Sequence, residues 1–305
     1  MKLFLAPLQG LTTAEFRNLH EKHFGGVDAY FTPFIRLEKG ALRKRDVRDI
    51  ENSTVSRLIP QVLAANADEL KKILEFLMPL GCNEIDLNCG CPFPPVCSKG
   101  RGAGILARQD VFAEMIESLS QYKDISFSIK LRLGLNSADE IKELVPIINS
   151  SELKFVTLHP RIAKDQYKGE LRMDDFANFI SECQKPIVFN GEIRTKQDYD
   201  KTVRDFPDLY GIMIGRGLIS NPNLANEISG ISESLSKEKF MAFHDELKDA
   251  LTQRLEGEQQ TLSHLLPYWE YLLPDISAKA RKAIMKSRNL SDYTRNVRSA
   301  IGDEI

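Results

Sequence analysis

The sequence predicts an α/β chain: a (β/α)8 (TIM) barrel followed by an all-helical C-terminal domain. Three observations carry this. Eight short runs rich in Val, Ile, Leu and Phe recur along residues 1–235, several apolar at nearly every position, as parallel strands covered on both faces require. Amphipathic stretches with helical spacing separate them. From about Ser236 no strand-like run occurs again.

In chain order the strand runs are 3–8, 27–34, 57–63, 84–89, 126–133, 155–159, 186–189 and 211–214. The stretch 66–78 puts Leu70, Ile73, Leu74 and Leu77 on one helical face. Helical stretches follow at 110–122, 137–148, 174–183 and 195–206, with Ser137 and Thr195 as N-cap residues. Such alternation is the arithmetic of a closed barrel. A doubly wound sheet is the rival, but its first strand usually runs into G-x-G-x-x-G. Here it runs into Ala6-Pro7-Leu8-Gln9-Gly10. In the tail, 240–254, 262–273, 277–286 and 291–301 read as helices, broken at Gly257, Pro267 and Pro274. The expected division is therefore a barrel domain, 1–235, and a helical domain, 236–305.

The 305 residues fit one barrel with a smaller companion, and 42% hydrophobic with 28% charged residues excludes wholesale disorder. Charge balance (41 Lys+Arg, 43 Asp+Glu) excludes a uniformly basic nucleic-acid binder, so a polyanion must meet a local patch. No apolar run approaches the roughly 18–20 residues of a membrane span. The opening Met-Lys-Leu-Phe-Leu-Ala-Pro soon turns polar and shows no small-residue cleavage site, so a cytoplasmic protein is expected. Five cysteines are an odd number, with Cys89, Cys91 and Cys97 crowded together; this favours reduced thiols over a disulfide scaffold.

In such a barrel the chemistry gathers at the carboxyl ends of the strands. Gln61, Asn88, Cys91, Lys130, Arg132, His159, Asn190 and Gly215-Arg216-Gly217 all fall there. Each alone reads as a surface charge or packing residue; their coincidence on one face makes a site. Gly191 and Gly215 begin the loops after strands seven and eight, the usual phosphate position, where glycine lets backbone N–H groups approach an anion and Arg216 adds a fork of donors. A phosphate-bearing cofactor fits. Lys130, flanked by Ile129 and Leu131, must point somewhere polar: towards an electron-accepting ring, into a Schiff base, or into an ion pair. The Cys89-x-Cys91 spacing with Cys97 and no nearby His is not a structural zinc pattern, so no metal is expected. A thiol on a Gly-rich loop suits acid–base or nucleophilic work.

The run Asn88-Cys89-Gly90-Cys91-Pro92, with Lys99-Gly100-x-Gly102-Ala103, resembles the active-site loop of tRNA-dihydrouridine synthases. The likeness extends over the chain through Leu5-Ala6-Pro7-Leu8, Pro60-Gln61, Ile129-Lys130-Leu131-Arg132-Leu133-Gly134, Leu158-His159-Pro160-Arg161, Asn190-Gly191-x-Ile193 and Ile214-Gly215-Arg216-Gly217. The resemblance implies FMN, NADPH as reductant and a D-loop uridine of tRNA as substrate. It carries cofactor contacts onto Pro7, Leu8, Gln9, Gln61, Lys130, His159, Asn190, Gly191, Glu192, Gly215 and Arg216. The catalytic thiol falls on Cys91, and Asn88 and Tyr167 would face the RNA. The compact length and the segment 266–272 look most like the bacterial subfamily acting on uridine 16. The chain departs from that subfamily at Gln9, where an acidic residue is usual, and in 162–169.

Two rivals remain at the sequence level: a flavin barrel reducing a small pyrimidine or enone, and a non-catalytic RNA-binding or folding barrel. The tail bears on both. Between Ser277 and Arg298 stand Lys279, Arg281, Lys282, Lys286, Arg288, Arg295 and Arg298 against the single acid Asp292. Lys279, Arg281 and Lys286 are the expected phosphate contacts. No membrane and no obligate protein partner are expected.

Overall fold

A computed structural model describes residues 1–232 and 234–304 of the chain. The barrel strands are β1 (Lys2–Leu5), β2 (Ala29–Phe31), β3 (Leu58–Ile59 with Gln61–Val62), β4 (Glu84–Cys89), β5 (Ser126–Gly134), β6 (Val156–Ile162), β7 (Ile187–Phe189) and β8 (Gly211–Ile214). All pair in parallel, and β1 meets β8 with Lys2 opposite Gly211, which closes the ring. The sheet's two ends are the two halves of β3. Pro60 has no N–H to donate, so the ladder to β2 stops at Ile59. The Gln61 N–H turns instead to Thr32 Oγ1 at 3.0 Å, and Gln61 then pairs with Asp86 on β4. The run expected at 57–63 is thus in place but interrupted. The runs expected at 3–8 and 27–34 end early as strands, and their last residues become loops at the barrel mouth.

The two-residue alternation of strands divides the barrel. Ile85, Leu87, Ile129 and Leu131 face outward into the core shared with the helices. Inside, Phe4, Phe31, Ile59, Phe155, Val188 and Met213 form a separate apolar plug, with Phe4 stacked on Phe155 at 5.6 Å. Above the plug the inward positions turn polar. This layering leaves chemistry to the carboxyl end.

The helix Ala67–Leu77 buries Leu70, Ile73, Leu74 and Leu77 as expected, and Asn66 caps it. Thr195 and Asp198 form a reciprocal capping box. Ser137 does not cap its helix, which starts later, at Glu140, with Asp139 as N-cap. The Glu140 carboxylate reaches back to the N–H groups of Leu135, Asn136 and Ser137 at 2.6–3.1 Å and takes over the capping work.

After Ser236 the chain is helical: Lys237–Arg254, Glu258–Leu265, Ala278–Met285 and Leu290–Glu304. The helix expected at 262–273 tightens into a 3-10 turn, Leu266–Glu270, where Pro267 enters. These helices pack on the barrel's first helix, Ala14–His23. Phe16 meets Phe243 edge-on and Tyr268 face-on, each at 5.6 Å. Tyr268 Oη donates to the Leu11 carbonyl, and Arg254 pairs with Glu15. Barrel and tail share one apolar core. Among the described residues no helix is long and apolar enough to cross a membrane.

Candidate active site

The carboxyl ends of the strands open on a polar cavity at the barrel mouth. Its wall takes Pro7, Leu8 and Gln9 from β1, Gln61 from β3, Asn88 and Cys91 from β4, and Lys130 and Arg132 from β5. His159, Tyr167, Asn190, Gly191, Gly215 and Arg216 complete it from β6 to β8. The residues singled out on the barrel therefore converge, with the exception of Glu192, which stands behind the wall.

On the β4 side the polar groups are chained. Asp86 is fully buried between strands. Its carboxylate accepts from Ser128 Oγ at 2.6 Å and Gln61 Nε2 at 2.7 Å. Gln61 Oε1 accepts from Asn88 Nδ2 at 2.7 Å, and Asn88 Oδ1 accepts from the Gly90 and Cys91 N–H groups at 3.2 and 2.9 Å. Strand alternation turns Cys89, like Ile85 and Leu87, into the outer core; β4 ends there, and the loop that follows brings Cys91 to the cavity wall. Cys97 Sγ donates to the Cys91 carbonyl at 3.2 Å. Gly102, at φ 56°, permits this packing: a Cβ there would stand 2.8 Å from Cys91 Cβ. The Cys91 thiol is pushed up by burial against the pull of a Phe93 backbone hydrogen bond, Arg132 and Lys130, so it stays protonated at neutral pH.

From β5 onward the charges on the wall are positive. Lys130 Nζ makes no hydrogen bond among the described residues; burial and then Arg132 lower its pKa to about 8, with Asp86 and Cys91 opposing. Burial and the surrounding cations Arg132, Lys130, Arg161 and Arg216 keep His159 well below its ordinary value, hence neutral. Arg161 Nη1 donates to His159 Nε2 at 3.2 Å, which leaves the ring proton on Nδ1. Tyr167 lies over the guanidinium groups of Arg132 and Arg216, each 5.2 Å from its ring centroid, and is half exposed to solvent.

The β7–β8 corner is built as expected in part. Gly215 opens the short helix Arg216–Ser220 and has room around its α-carbon. Gly191 is demanded by packing, since a Cβ would strike the Phe189 ring at 2.3 Å. Asn190 Nδ2 ties β7 to the Met213 carbonyl of β8 at 2.8 Å. Glu192 accepts from Arg161, Arg194 and Arg216. Burial pushes its carboxyl up, but the three arginines outweigh that and hold it below the usual range. It orients cations rather than lining the cavity.

In the tail, Lys279 and Lys286 are exposed and without ion pairs among the described residues. Arg281 differs. Its guanidinium donates to the Trp269, Leu272 and Leu273 carbonyls, closing the end of the 3-10 turn. Sequence reasoning passed over Asp86, Ser128 and the clamping role of Arg161. The available signals were a lone carboxylate and a lone hydroxyl inside apolar strands. Among the described residues no group of three or more His, Cys, Asp or Glu is placed to hold a metal ion.

Comparison with known proteins gives a consistent result. Three of the relatives are as follows. The "tRNA-dihydrouridine(16) synthase" of Pseudomonas syringae is 30% identical over 75% of this chain and 75% of its own length. The protein of the same name from Cupriavidus necator is 26% identical over 76% and 74%. A "Probable tRNA-dihydrouridine synthase 2" of Bacillus subtilis is 27% identical over 72% and 69%. The family model described as "Dihydrouridine synthase (Dus)" matches residues 4–300, from β1 into the last helix, and with it the whole cavity wall. The chain belongs to the dihydrouridine synthase (Dus) family.

Proposed function

We propose that the chain is a flavin-dependent tRNA-dihydrouridine synthase that binds FMN in the barrel cavity, uses NADPH as reductant and reduces the C5=C6 bond of a D-loop uridine, uridine 16, in the cytoplasm. The observation that carries this reading is a protonated thiol, Cys91, beside an ammonium, Lys130, that has no hydrogen bond among the described residues, on the wall of one cavity rimmed by arginines.

The residues fit FMN. Lys130 Nζ has no hydrogen-bond acceptor among the described residues, and an anionic ring edge would supply one. Arg216 and the first-turn N–H groups of the helix Arg216–Ser220 suit one terminal phosphate. Gln61, Asn190 and neutral His159 offer directional hydrogen bonds between these ends. When bound, the reduced flavin supplies the hydride equivalent taken up at C6 of the uracil.

The remaining work falls to the chain. Cys91 holds the proton that goes to C5, and its raised pKa keeps it there at neutral pH. Asn88 and Arg132 fix the loop that carries it. Tyr167 gives an extruded base an aromatic face to stack on, and its two arginines favour the adjoining phosphates. The helical domain, 236–305, meets the RNA backbone through Lys279 and Lys286. The names of the relatives in Pseudomonas syringae and Cupriavidus necator support uridine 16.

The test is a map of dihydrouridine in tRNA from a strain lacking its own synthases, with and without this gene. Dihydrouridine at position 16 supports the reading, and at another position corrects the site. A yellow protein that leaves tRNA unmodified turns the reading towards a small pyrimidine or enone substrate.

A further inference from the structure

We propose that Asp86 is a positioning residue that sets the direction of the hydrogen-bond relay through Gln61 and Asn88, and so holds the backbone carrying Cys91 in place.

The argument begins at the relay's two ends. At the outer end stand the N–H groups of Gly90 and Cys91, which can only donate. At the inner end stands a carboxylate, which can only accept. Between them lie two carboxamides, Gln61 and Asn88, each with one donating and one accepting end. With both termini fixed, a single orientation of each amide satisfies every link: Gln61 gives its NH2 to Asp86, Asn88 gives its NH2 to Gln61, and Asn88 Oδ1 faces the loop. Turning either amide over sets donor against donor in a buried place. The second Asp86 oxygen is taken by Ser128 Oγ at 2.6 Å, which stops the carboxylate from swinging away.

Each Asp86 oxygen meets a donor, Gln61 Nε2 on one and Ser128 Oγ on the other, which suits the ionised carboxylate. Burial lifts its pKa only to about 6, with Ser128, Gln61 and the charge of Lys130 pulling the other way. Asparagine at this position can turn its NH2 to Gln61, so the inner end no longer fixes the direction and the reversed relay is permitted. The Asn88 NH2 would then confront the Gly90 and Cys91 N–H groups, and the loop would lose its anchor. Arg132 would still hold the Gly90 carbonyl, and Ala103 N–H the Cys91 carbonyl, so the loss is confined to this one link. That Cys91 is the reacting thiol rests on the proposed function; the relay does not.

Amide hydrogen exchange of the peptide containing 88–92, read by mass spectrometry on the full chain as purified, tests the relay without needing flavin turnover or tRNA. Asp86→Asn is expected to speed exchange at Gly90 and Cys91 about tenfold or more. In Asp86→Asn/Gln61→Glu the new carboxylate at position 61 accepts from both neighbours and restores the original direction, so protection should return to the wild-type level. Ser128→Ala, which leaves the direction alone, should keep it. Wild-type exchange in Asp86→Asn, or a double variant as fast as the single, overturns the proposal. If Asp86→Asn does not fold, the double variant decides: wild-type protection supports the relay, and fast exchange or failure to fold overturns it. Dihydrouridine formation, measured in parallel, should fall in Asp86→Asn; its recovery is not expected in the double variant, because Gln61 also lines the cofactor cavity. Absence of activity in all of them, wild type included, counts against the proposed function and leaves the exchange result standing.

Discussion

Arg132 Nε donates to the Gly90 carbonyl across 3.0 Å, so a cation rooted in β5 grips the backbone one residue before Cys91. The same guanidinium reaches the carbonyls of Ile162 and Gln166 at 3.1 and 2.7 Å. It therefore ties the loop after β4 to the loop after β6, on which Tyr167 rides.

A lysine cannot span these three acceptors, although it keeps the charge. Arg132→Lys should lower the rate of uridine reduction on the order of tenfold or more, a misplacement effect. Reduction of bound flavin by NADPH should be much less affected. Single-turnover measurements of the two half-reactions check this, and equal losses in both would point to a damaged flavin site instead.

The three cysteines should separate cleanly. Cys91→Ala should cost roughly 10²–10⁴-fold in dihydrouridine formation, the usual weight of a general acid, while flavin reduction survives. Cys97→Ser retains a donor for the Cys91 carbonyl and should stay active. Cys89→Ala leaves a small void in the core, with about 1 kcal/mol lost in stability and activity kept. The acid must be protonated to act, and burial raises the Cys91 pKa. The uridine half-reaction should thus hold level through neutral pH and decline only on the alkaline side. Cys91→Ser should give a lower plateau without that decline.

Arg216→Ala should weaken FMN binding about tenfold, as expected for loss of a charge-assisted hydrogen bond of roughly 1.5 kcal/mol or more. Flavin fluorescence titration reads this. Release and chromatography of the bound flavin should give FMN rather than FAD, because the site offers one phosphate corner and no dinucleotide fingerprint.

For the tail, Lys279→Ala/Lys286→Ala should weaken tRNA binding and reduce the slope of log affinity against log salt by roughly one for each lysine replaced, or about two together. Folding and flavin content should be unchanged. Arg281→Ala belongs to a different class. It strips donors from three carbonyls and should lower thermal stability by about 2 kcal/mol. A double lysine variant with the wild-type slope would remove the tail from the RNA interface.

The strands and much of the cavity wall were legible because both follow short-range rules, whereas Pro7, Leu8, Gln9 and Tyr167 were expected only from the family resemblance. Apolar runs place the strands, and their ends place the site. What lies across the barrel was not legible. Asp86 finds Gln61 and Ser128 only through the registers of β3 with β4 and β4 with β5, which no local pattern states. A carboxylate flanked by Ile85 and Leu87 is nevertheless a visible anomaly. Arg281 reads as a phosphate contact along with Lys279 and Lys286, whereas the structure turns its guanidinium to three backbone carbonyls. Ile284, three residues on and fully buried, marks the face that Arg281 shares. The interruption of β3 is also visible in Pro60, whose missing N–H overrides the apolar run around it.

The packing of Phe16 against Phe243 and Tyr268, with Tyr268 bonded to the Leu11 carbonyl, welds the tail to the barrel through their common core. The separation between the basic helix Ala278–Met285 and the mouth of the cavity is then a constant of the folded molecule. If a polyanion sits on that helix as proposed, this separation would act as a ruler: the base delivered to Cys91 would be the one lying that many ångströms along the strand. Selection by length asks little of the base itself. A change of target would come from shifting the helical layer on Phe16 as much as from recutting the pocket.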